Sequence, residues 1–376
     1  MKIAIVTDVL GAENNGTTIT VKRLIENLKL RGHEVRVISP LETNEAGYYG
    51  TKKRNFGIFN KYVEKNGVVL ARVDQKVLRN GMMGSDVVHI ILPFQLGKAA
   101  IKVAKELNIP MTSAFHCQPE NVTAHFKLHH FEPANQFVYR WFFRKFYRYQ
   151  QYVHCPTDFI ANQLRKYNYN MDLKVISNGV APEYHLINVE KPGEFKDKYC
   201  IVSVGRLARE KRHDLLIKAI KLSKYEKQIQ LVIAGTGPLE DQTKKQGAKL
   251  TNKPIIDFYP REELVKILNF ADLYVHPADI EIEAIACLEA ITCGLVPIIS
   301  DSKKSATNAF ALHDVNLFQA GNPHDLASKI DYLIEHPDIK KEIRQEYLEY
   351  SKRFNLSTCI DKMEEMFQEA AYNKED

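Results

Sequence analysis

Hydrophobic positions along the chain alternate between two periods. Short β-branched runs are followed by stretches whose apolar residues recur at helical spacing, the signature of βαβ units and parallel sheets. In the first half the runs that read as strands are Lys2 to Thr7, Glu34 to Ser39, Val87 to Leu92, Ile109 to Phe115, Tyr152 to Cys155 and Leu173 to Ile176. In the second they are Cys200 to Val204, Ile229 to Ala234, Ile255 to Asp257, Leu273 to His276, Val296 to Ser300 and Asn316 to Phe318. Two doubly wound α/β domains follow, with a linker over Asn178 to Phe195, where Asn178-Gly179, Pro182 and Lys191-Pro192-Gly193 interrupt both periods. The domains are expected at 1–180 and 195–355. The tail 356–376 carries Ile360, Met363, Met366, Phe367 and Ala370 at helical spacing, and is expected to dock back on the N-terminal domain.

The length of 376 residues agrees with two domains, and 45% hydrophobic with 26% charged residues suits two ordinary globular cores. No run of about 18 apolar residues occurs, and the N-terminus enters a strand without a signal-peptide pattern, so a cytoplasmic, non-spanning chain is expected. Six cysteines without CxxC pairs read as free thiols. Charge is uneven. Residues 1–180 hold 25 Lys and Arg against 14 Asp and Glu, and residues 181–376 hold 27 against 32. The basic half suits nucleic acid, an anionic membrane or a phosphorylated substrate, and composition does not choose among them.

In open α/β sheets ligands bind beyond the carboxyl ends of strands, so chemistry is sought there. After the first strand, Gly11 to Thr18 leads into a helix whose start offers N–H groups to an anion. The loop lacks both GxGxxG and a P-loop lysine, which argues against a nicotinamide oxidoreductase and an ordinary nucleotide-triphosphate site; an ordinary turn with a Thr cap is the alternative. After Cys200 to Val204, the loop Gly205-Arg206-Leu207-Ala208-Arg209-Glu210-Lys211 offers a guanidinium and an ammonium that could neutralise a diphosphate without metal, or simply a solvated basic turn. After Leu273 to His276, Glu281 precedes a helix and Glu289 lies in a run of Ala, Ile, Cys and Leu, where a carboxylate is costly to bury without a partner. The plainer alternative makes Glu281 a cap, Glu283 a first-turn carboxylate and Glu289 a surface residue. For Glu283 that alternative is preferred.

As an ordered set, Val204-Gly205-Arg206 to Lys211, Ala234-Gly235-Thr236-Gly237-Pro238, Glu281 with Glu289, and Gly294-Leu295-Val296-Pro297 resemble the pattern of family 4 retaining glycosyltransferases of the GT-B fold, over nearly the whole chain. The resemblance implies two Rossmann-like domains facing a cleft and a nucleotide diphosphate sugar as donor. It implies that Arg206 and Lys211 hold the leaving diphosphate, that Glu281 orients donor-sugar hydroxyls and that Glu289 holds the ribose. It further implies that the backbone of Gly205 and of Ile282, Glu283, Ala284 and Ile285 lies along the donor, with Gly16 and Thr17 opposite. The family's histidine matches His116, which ends a strand in Ala114-Phe115-His116-Cys117. One departure stands out: the family's Glu-x-Phe-Gly is here Glu281-Ile282-Glu283-Ala284, and Ala at the Gly position restricts φ. No metal or other cofactor is expected, since His129-His130 and the other histidines lack ligand spacing.

The segment Phe137 to Tyr152 sets Arg140, Arg144 and Arg148 four residues apart, with Trp141 and Lys145 between them and aromatic residues on adjacent faces. Such a helix can lie in an anionic lipid interface, or it can pack its aromatics into a core with its arginines solvated. Lys52-Lys53-Arg54-Asn55-Phe56-Gly57-Ile58-Phe59 adds a second basic, aromatic patch. Gln118-Pro119-Glu120-Asn121 and Ser302 to Phe310 also look like bacterial diacylglycerol glucosyltransferases. The expectation is a hexosyltransferase, peripheral on the inner face of the cell membrane, moving glucose from UDP-glucose to a lipid such as diacylglycerol, with no nucleic-acid partner. Transfer to a polysaccharide, glycan or protein and a non-catalytic sugar-nucleotide-binding protein are the alternatives.

Overall fold

The computed structural model describes residues 1–10, 16–41, 43, 45–55, 70–124, 128 and 131–373. The loop 11–15, the patch residues Phe56-Gly57-Ile58-Phe59 and His129-His130 lie outside them. The chain forms two compact units, one of Met1–Asn178 with Ser357–Asp376, the other of Gly179–Leu356.

The first unit is built on a parallel sheet of β1 (Lys2–Val6), β2 (Glu34–Ser39), β3 (Tyr48–Gly50), β4 (Val87–Ile90), β5 (Met111–Ala114), β6 (Tyr152–Cys155) and β7 (Asp172–Val175). Its spatial order is β3-β2-β1-β4-β5-β6-β7. Ile3, Ala4 and Ile5 of β1 and all of β4 are buried, as expected for strands covered on both faces. The register Ile5↔Val37 and Ile5↔His89 sets β1 between β2 and β4, so strand order reverses at the β1/β4 junction. The second unit repeats the plan with β8 (Tyr199–Val204), β9 (Ile229–Ala234), β10 (Ile255–Asp257), β11 (Leu273–His276), β12 (Pro297–Ser300) and β13 (Leu317–Phe318), in the order β10-β9-β8-β11-β12-β13. Its reversal falls between β8 and β11. Both units are doubly wound α/β sheets.

The strands differ from the sequence reading mainly at their ends. Ile91, Leu92 and Phe115 continue apolar runs and are buried, yet they lie beyond the described ladders because burial outlasts pairing there. β3 has three residues, too few to show a period. The linker expected over Asn178 to Phe195 is mostly part of the second unit. Val180 N–H donates to Phe354 O at 2.7 Å, Ile187 N–H to Asn269 Oδ1 at 2.7 Å, and Phe195 packs on Phe270 with ring centroids 5.0 Å apart. The turn residues there shape a strapped segment, and the passage between units narrows to Asn178–Gly179 and Leu356–Ser357.

The C-terminal helix Leu356–Tyr372 buries Ile360, Met363, Met366, Phe367 and Ala370. Phe367 meets His89 of β4 edge-on at 5.1 Å, Lys174 Nζ pairs with Glu369 at 2.6 Å, and Arg31 pairs with Asp361 and Glu364. All six cysteines are free thiols, and all but Cys117 are buried. Among the described residues no helix is long and apolar enough to cross a membrane.

Candidate functional site

The order of strands in the second unit reverses between β8 and β11, and the loops that follow these two strands mark the place where such sheets take ligands. Both loops carry the residues singled out above. After β8, Gly205 has φ +157°, and a short 3-10 turn at Arg209–Lys211 brings Lys211 back beside it. A methyl at Gly205 would touch the Lys211 side chain at 3.5 Å. This loop rests on the one after β9. Leu207 N–H donates to Thr236 O at 2.9 Å and Leu239 N–H to Leu207 O at 2.9 Å. The approach is so close that a Cβ at Gly235 would lie 2.1 Å from Gly205 O, and one at Gly237 2.5 Å from Leu207 O. The Gly235-Thr236-Gly237-Pro238 motif is therefore the seat of the Arg206 loop.

Lys211 Nζ reaches across to Glu281 Oε1 in the loop after β11, and His276 Nε2 meets the same oxygen at 3.0 Å. Burial would raise the Glu281 carboxyl, but the Lys211 charge and the His276 hydrogen bond outweigh it and hold the group down at about 2. Glu281 is thus an anion at any ordinary pH. Arg206 donates to Glu210 Oε1 at 2.8 Å, so each of the two cations faces a carboxylate. The β8 and β11 loops are also tied through Arg212, which pairs with Asp279 Oδ2 at 2.8 Å, while Asp279 N–H donates to Glu210 O at 2.8 Å. The segment after β12 locks the same loop: Ser302 Oγ donates to Asp279 O at 2.6 Å and Ala306 N–H to Glu281 O at 2.9 Å.

The helix Ile285–Thr292 follows Glu281, and its N-cap residue, Ala284, has no side chain that could cap its first turn. Ala284 precedes it at φ +60°, ψ +62°, the left-handed conformation that glycine favours. The Ala-for-Gly departure therefore leaves the backbone on a glycine-like path. Ile282 is half-buried in the loop. Glu283 is buried and lies before the helix, outside its first turn, which corrects the preferred reading of it as a first-turn carboxylate. Glu289 is 7% exposed on the helix's inner face, so it is not a surface residue. Gly205, Arg206, Lys211, Glu281 and the residues 282–285 thus lie on the two loops that adjoin at the β8/β11 reversal, with Glu289 in the helix that follows.

Gly16, Thr17 and His116 belong to the other unit. Gly16 is the exposed first residue of the helix Gly16–Leu30 that follows β1, and Thr17 is half-buried. His116 follows β5, partly exposed, its ring edge-on to His154 at 5.4 Å. Burial, then the charge of His154, push its imidazole down to about 3, so at neutral pH it is an uncharged hydrogen-bonding ring. Among the described residues no group of His, Cys, Asp and Glu is arranged to hold a metal ion.

The arginine stripe falls on the helix Glu132–Lys145 and the 3-10 turn Tyr147–Tyr149. The structure divides it between the two alternatives. Tyr139, Phe142, Phe146 and Tyr147 are fully buried core residues, as the core-helix alternative has them. Arg140, Trp141, Arg144, Lys145 and Arg148 are exposed, with Phe137 at 70%. Lysines of the helix Gln95–Glu106 that follows β4 extend the basic face, Lys98 Nζ lying 3.8 Å from the Trp141 ring centroid and Lys105 Nζ 4.0 Å from that of Tyr149.

Sequence reasoning missed His276, Glu210 and the Arg212–Asp279 tie. His276 carried a signal, a polar ring ending a buried strand at a reversal point; the tie joins residues 67 apart and had none.

Comparison with known proteins agrees with this geometry. Residues 14–184 match the model of Glycosyltransferase Family 4 and residues 187–354 that of Glycosyl transferases group 1. An alpha-monoglucosyldiacylglycerol synthase of Streptococcus pneumoniae is 23% identical over 93% of this chain and 82% of its own. A GDP-mannose-dependent alpha-mannosyltransferase of Corynebacterium glutamicum is 28% identical over 80% of this chain and 72% of its own. The solved structure of Anabaena HepE in complex with UDP and glucose superposes with a TM-score of 0.73 at 16% identity, covering 98% of this chain and all of that one.

Proposed function

We propose that this chain, which belongs to the family 4 glycosyltransferases of the GT-B fold, moves glucose from UDP-glucose to a diacylglycerol-type membrane lipid with retention of configuration and without a metal ion. The observation that carries the reading is the Lys211–Glu281 contact at the β8/β11 reversal, with Arg206 on the same loop. A diphosphate binding there exchanges two carboxylate partners for its own oxygens, so Arg206 and Lys211 pass from neutralising Glu210 and Glu281 to neutralising the leaving group. The start of the helix Ile285–Thr292, where Ala284 supplies no side-chain cap, adds N–H groups for the diphosphate. Glu281, released to sugar hydroxyls and anionic throughout, orients the hexose, and Glu289 takes the ribose. With no carboxylate assigned as covalent nucleophile, attack proceeds on the face the nucleotide leaves, the departing phosphate taking the acceptor's proton. His116, uncharged, supports the reacting sugar by hydrogen bonding.

The lipid acceptor and an anionic membrane at the inner face of the cell are supported by the diacylglycerol-named relatives in Streptococcus pneumoniae and Acholeplasma laidlawii and by the exposed Arg140, Trp141, Arg144, Lys145 and Arg148. Calorimetry of UDP-, GDP- and ADP-sugars against the protein in chelator tests the donor, and incubation with diacylglycerol vesicles or soluble glycans tests the acceptor. Tight binding of GDP-mannose in place of UDP-glucose would move the donor to that of the Corynebacterium glutamicum relative.

A further inference from the structure

Alternation along β11 puts Tyr274 and His276 on one face of the strand, and both side chains are buried, Tyr274 completely and His276 to within 2%. Their rings lie 6.1 Å apart and nearly parallel. The Tyr274 hydroxyl is 3.2 Å from His276 Nδ1, and His276 Nε2 is 3.0 Å from Glu281 Oε1, so both imidazole nitrogens are engaged. The direction of each bond follows from chemistry. Glu281 is a carboxylate and only accepts, so Nε2 carries the hydrogen and donates it. A neutral imidazole then has Nδ1 as its acceptor. Burial holds the Tyr274 phenol well above its ordinary value, so that hydroxyl keeps its proton and donates to Nδ1. Donors point one way, from Tyr274 through His276 to Glu281, ending on the oxygen that also takes Lys211 Nζ.

We propose that His276, backed by Tyr274, is a positioning residue that fixes the rotamer of the Glu281 carboxylate. Two donors, one at the end of β11 and one in the loop after β8, pin Oε1, and Oε2 is turned to a hydroxyl of the donor sugar. When a diphosphate draws Lys211 away, His276 is the donor that keeps Glu281 in place, so the carboxylate does not follow the ammonium. The inference rests on Glu281 being the donor-sugar residue, as read above.

Two measurements test it. In the spectrum of the full chain with nitrogen-labelled histidine, assigned by loss of one resonance pair in His276→Gln, His276 shows the Nε2–H tautomer. An Nδ1–H tautomer overturns the proposal whatever the protein catalyses. In transfer assays, His276→Phe, similar in volume but without N–H groups, lowers kcat by about 10- to 100-fold, the worth of one hydrogen bond to a charged group, while affinity for UDP alone stays within about threefold. His276→Gln, whose amide N–H reaches about as far as Nε2, recovers most of that loss. Wild-type turnover in His276→Phe overturns the proposal, as does an equal loss in both variants accompanied by loss of UDP affinity, the pattern of simple misfolding. A wild type that transfers no sugar overturns the transferase reading and leaves the positioning claim to the nitrogen spectrum.

Discussion

In the reading proposed above Lys211 and Arg206 do the charge work of a divalent ion; in the structure each is matched by a carboxylate close by, Glu281 and Glu210. Arg206→Ala is expected to cost on the order of 2 to 4 kcal/mol of transition-state stabilisation, read as a fall in kcat/KM of about 30- to 1,000-fold; a wild-type rate removes Arg206 from the site. Lys211→Met has a second consequence, because the forces on Glu281 are opposed: burial raises its carboxyl, and Lys211 with His276 lowers it. The depressed group contributes stability that is present above its unfolded value near 4.5 and is lost as pH falls toward 2. In Lys211→Met the carboxyl climbs, and the stability gained between pH 3 and 6 relative to wild type shrinks, which denaturant titrations across that range measure. Arg206, Lys211, Glu281 and Glu289 could be picked out from the sequence because their spacing is a pattern. The contact between Lys211 and Glu281 could not, since the two lie 70 residues apart and meet only where β8 and β11 adjoin.

At the level of elements, the loop after β8 depends on its seat on the loop after β9. Gly235→Ala would set a Cβ 2.1 Å from Gly205 O, so the Arg206 loop must move. The expected outcome is a lowered melting temperature together with weakened nucleotide binding, whereas Gly193→Ala, with open space at its Cβ, changes neither. The helix Glu132–Lys145 shows why an amphipathic pattern with aromatics on several faces is ambiguous: one face fills the core through Tyr139, Phe142 and Phe146, and the other carries the cations with Trp141. If that outer face meets anionic headgroups, each cation contributes about 1 kcal/mol, screened by salt. Replacing Arg140, Arg144, Lys145 and Arg148 together by Gln should cut sedimentation with anionic vesicles by orders of magnitude and leave nucleotide affinity intact, because Arg206 and Lys211, the cations proposed for the diphosphate, lie in the other unit. Salt-insensitive vesicle binding would defeat the membrane claim. Strands were readable as β-branched or apolar runs, the three-residue β10 among them; β3, Tyr48-Tyr49-Gly50, has no such run, and the strapped segment 179–195 is held by tertiary contacts.

For the molecule as a whole, acid is the sensitive direction. Burial pushes His116 and His213 to about 3 and His154 to about 4, and His89 well below its ordinary value. Unfolded, these rings take protons near pH 6.5, so their contribution to stability is whole above that pH and is lost as pH falls toward 4. Asp8, raised to about 6 by burial, works the other way, its share being lost as pH rises through 6. Three of the four histidines belong to the unit holding β1 to β7. Hydrogen exchange at pH 7.5 and 5.0, corrected for intrinsic rates, should therefore show β4–β6 losing more protection than β8–β11; equal losses would contradict the account of the buried rings. The central claim is metal-free transfer from a nucleotide sugar held by Arg206, Lys211 and Glu281. Its most direct test is glucosyl-lipid formation from UDP-glucose and diacylglycerol in anionic vesicles, in excess chelator: the account predicts an α-linked product at an undiminished rate, and a rate abolished by chelator and restored by magnesium or manganese would contradict it.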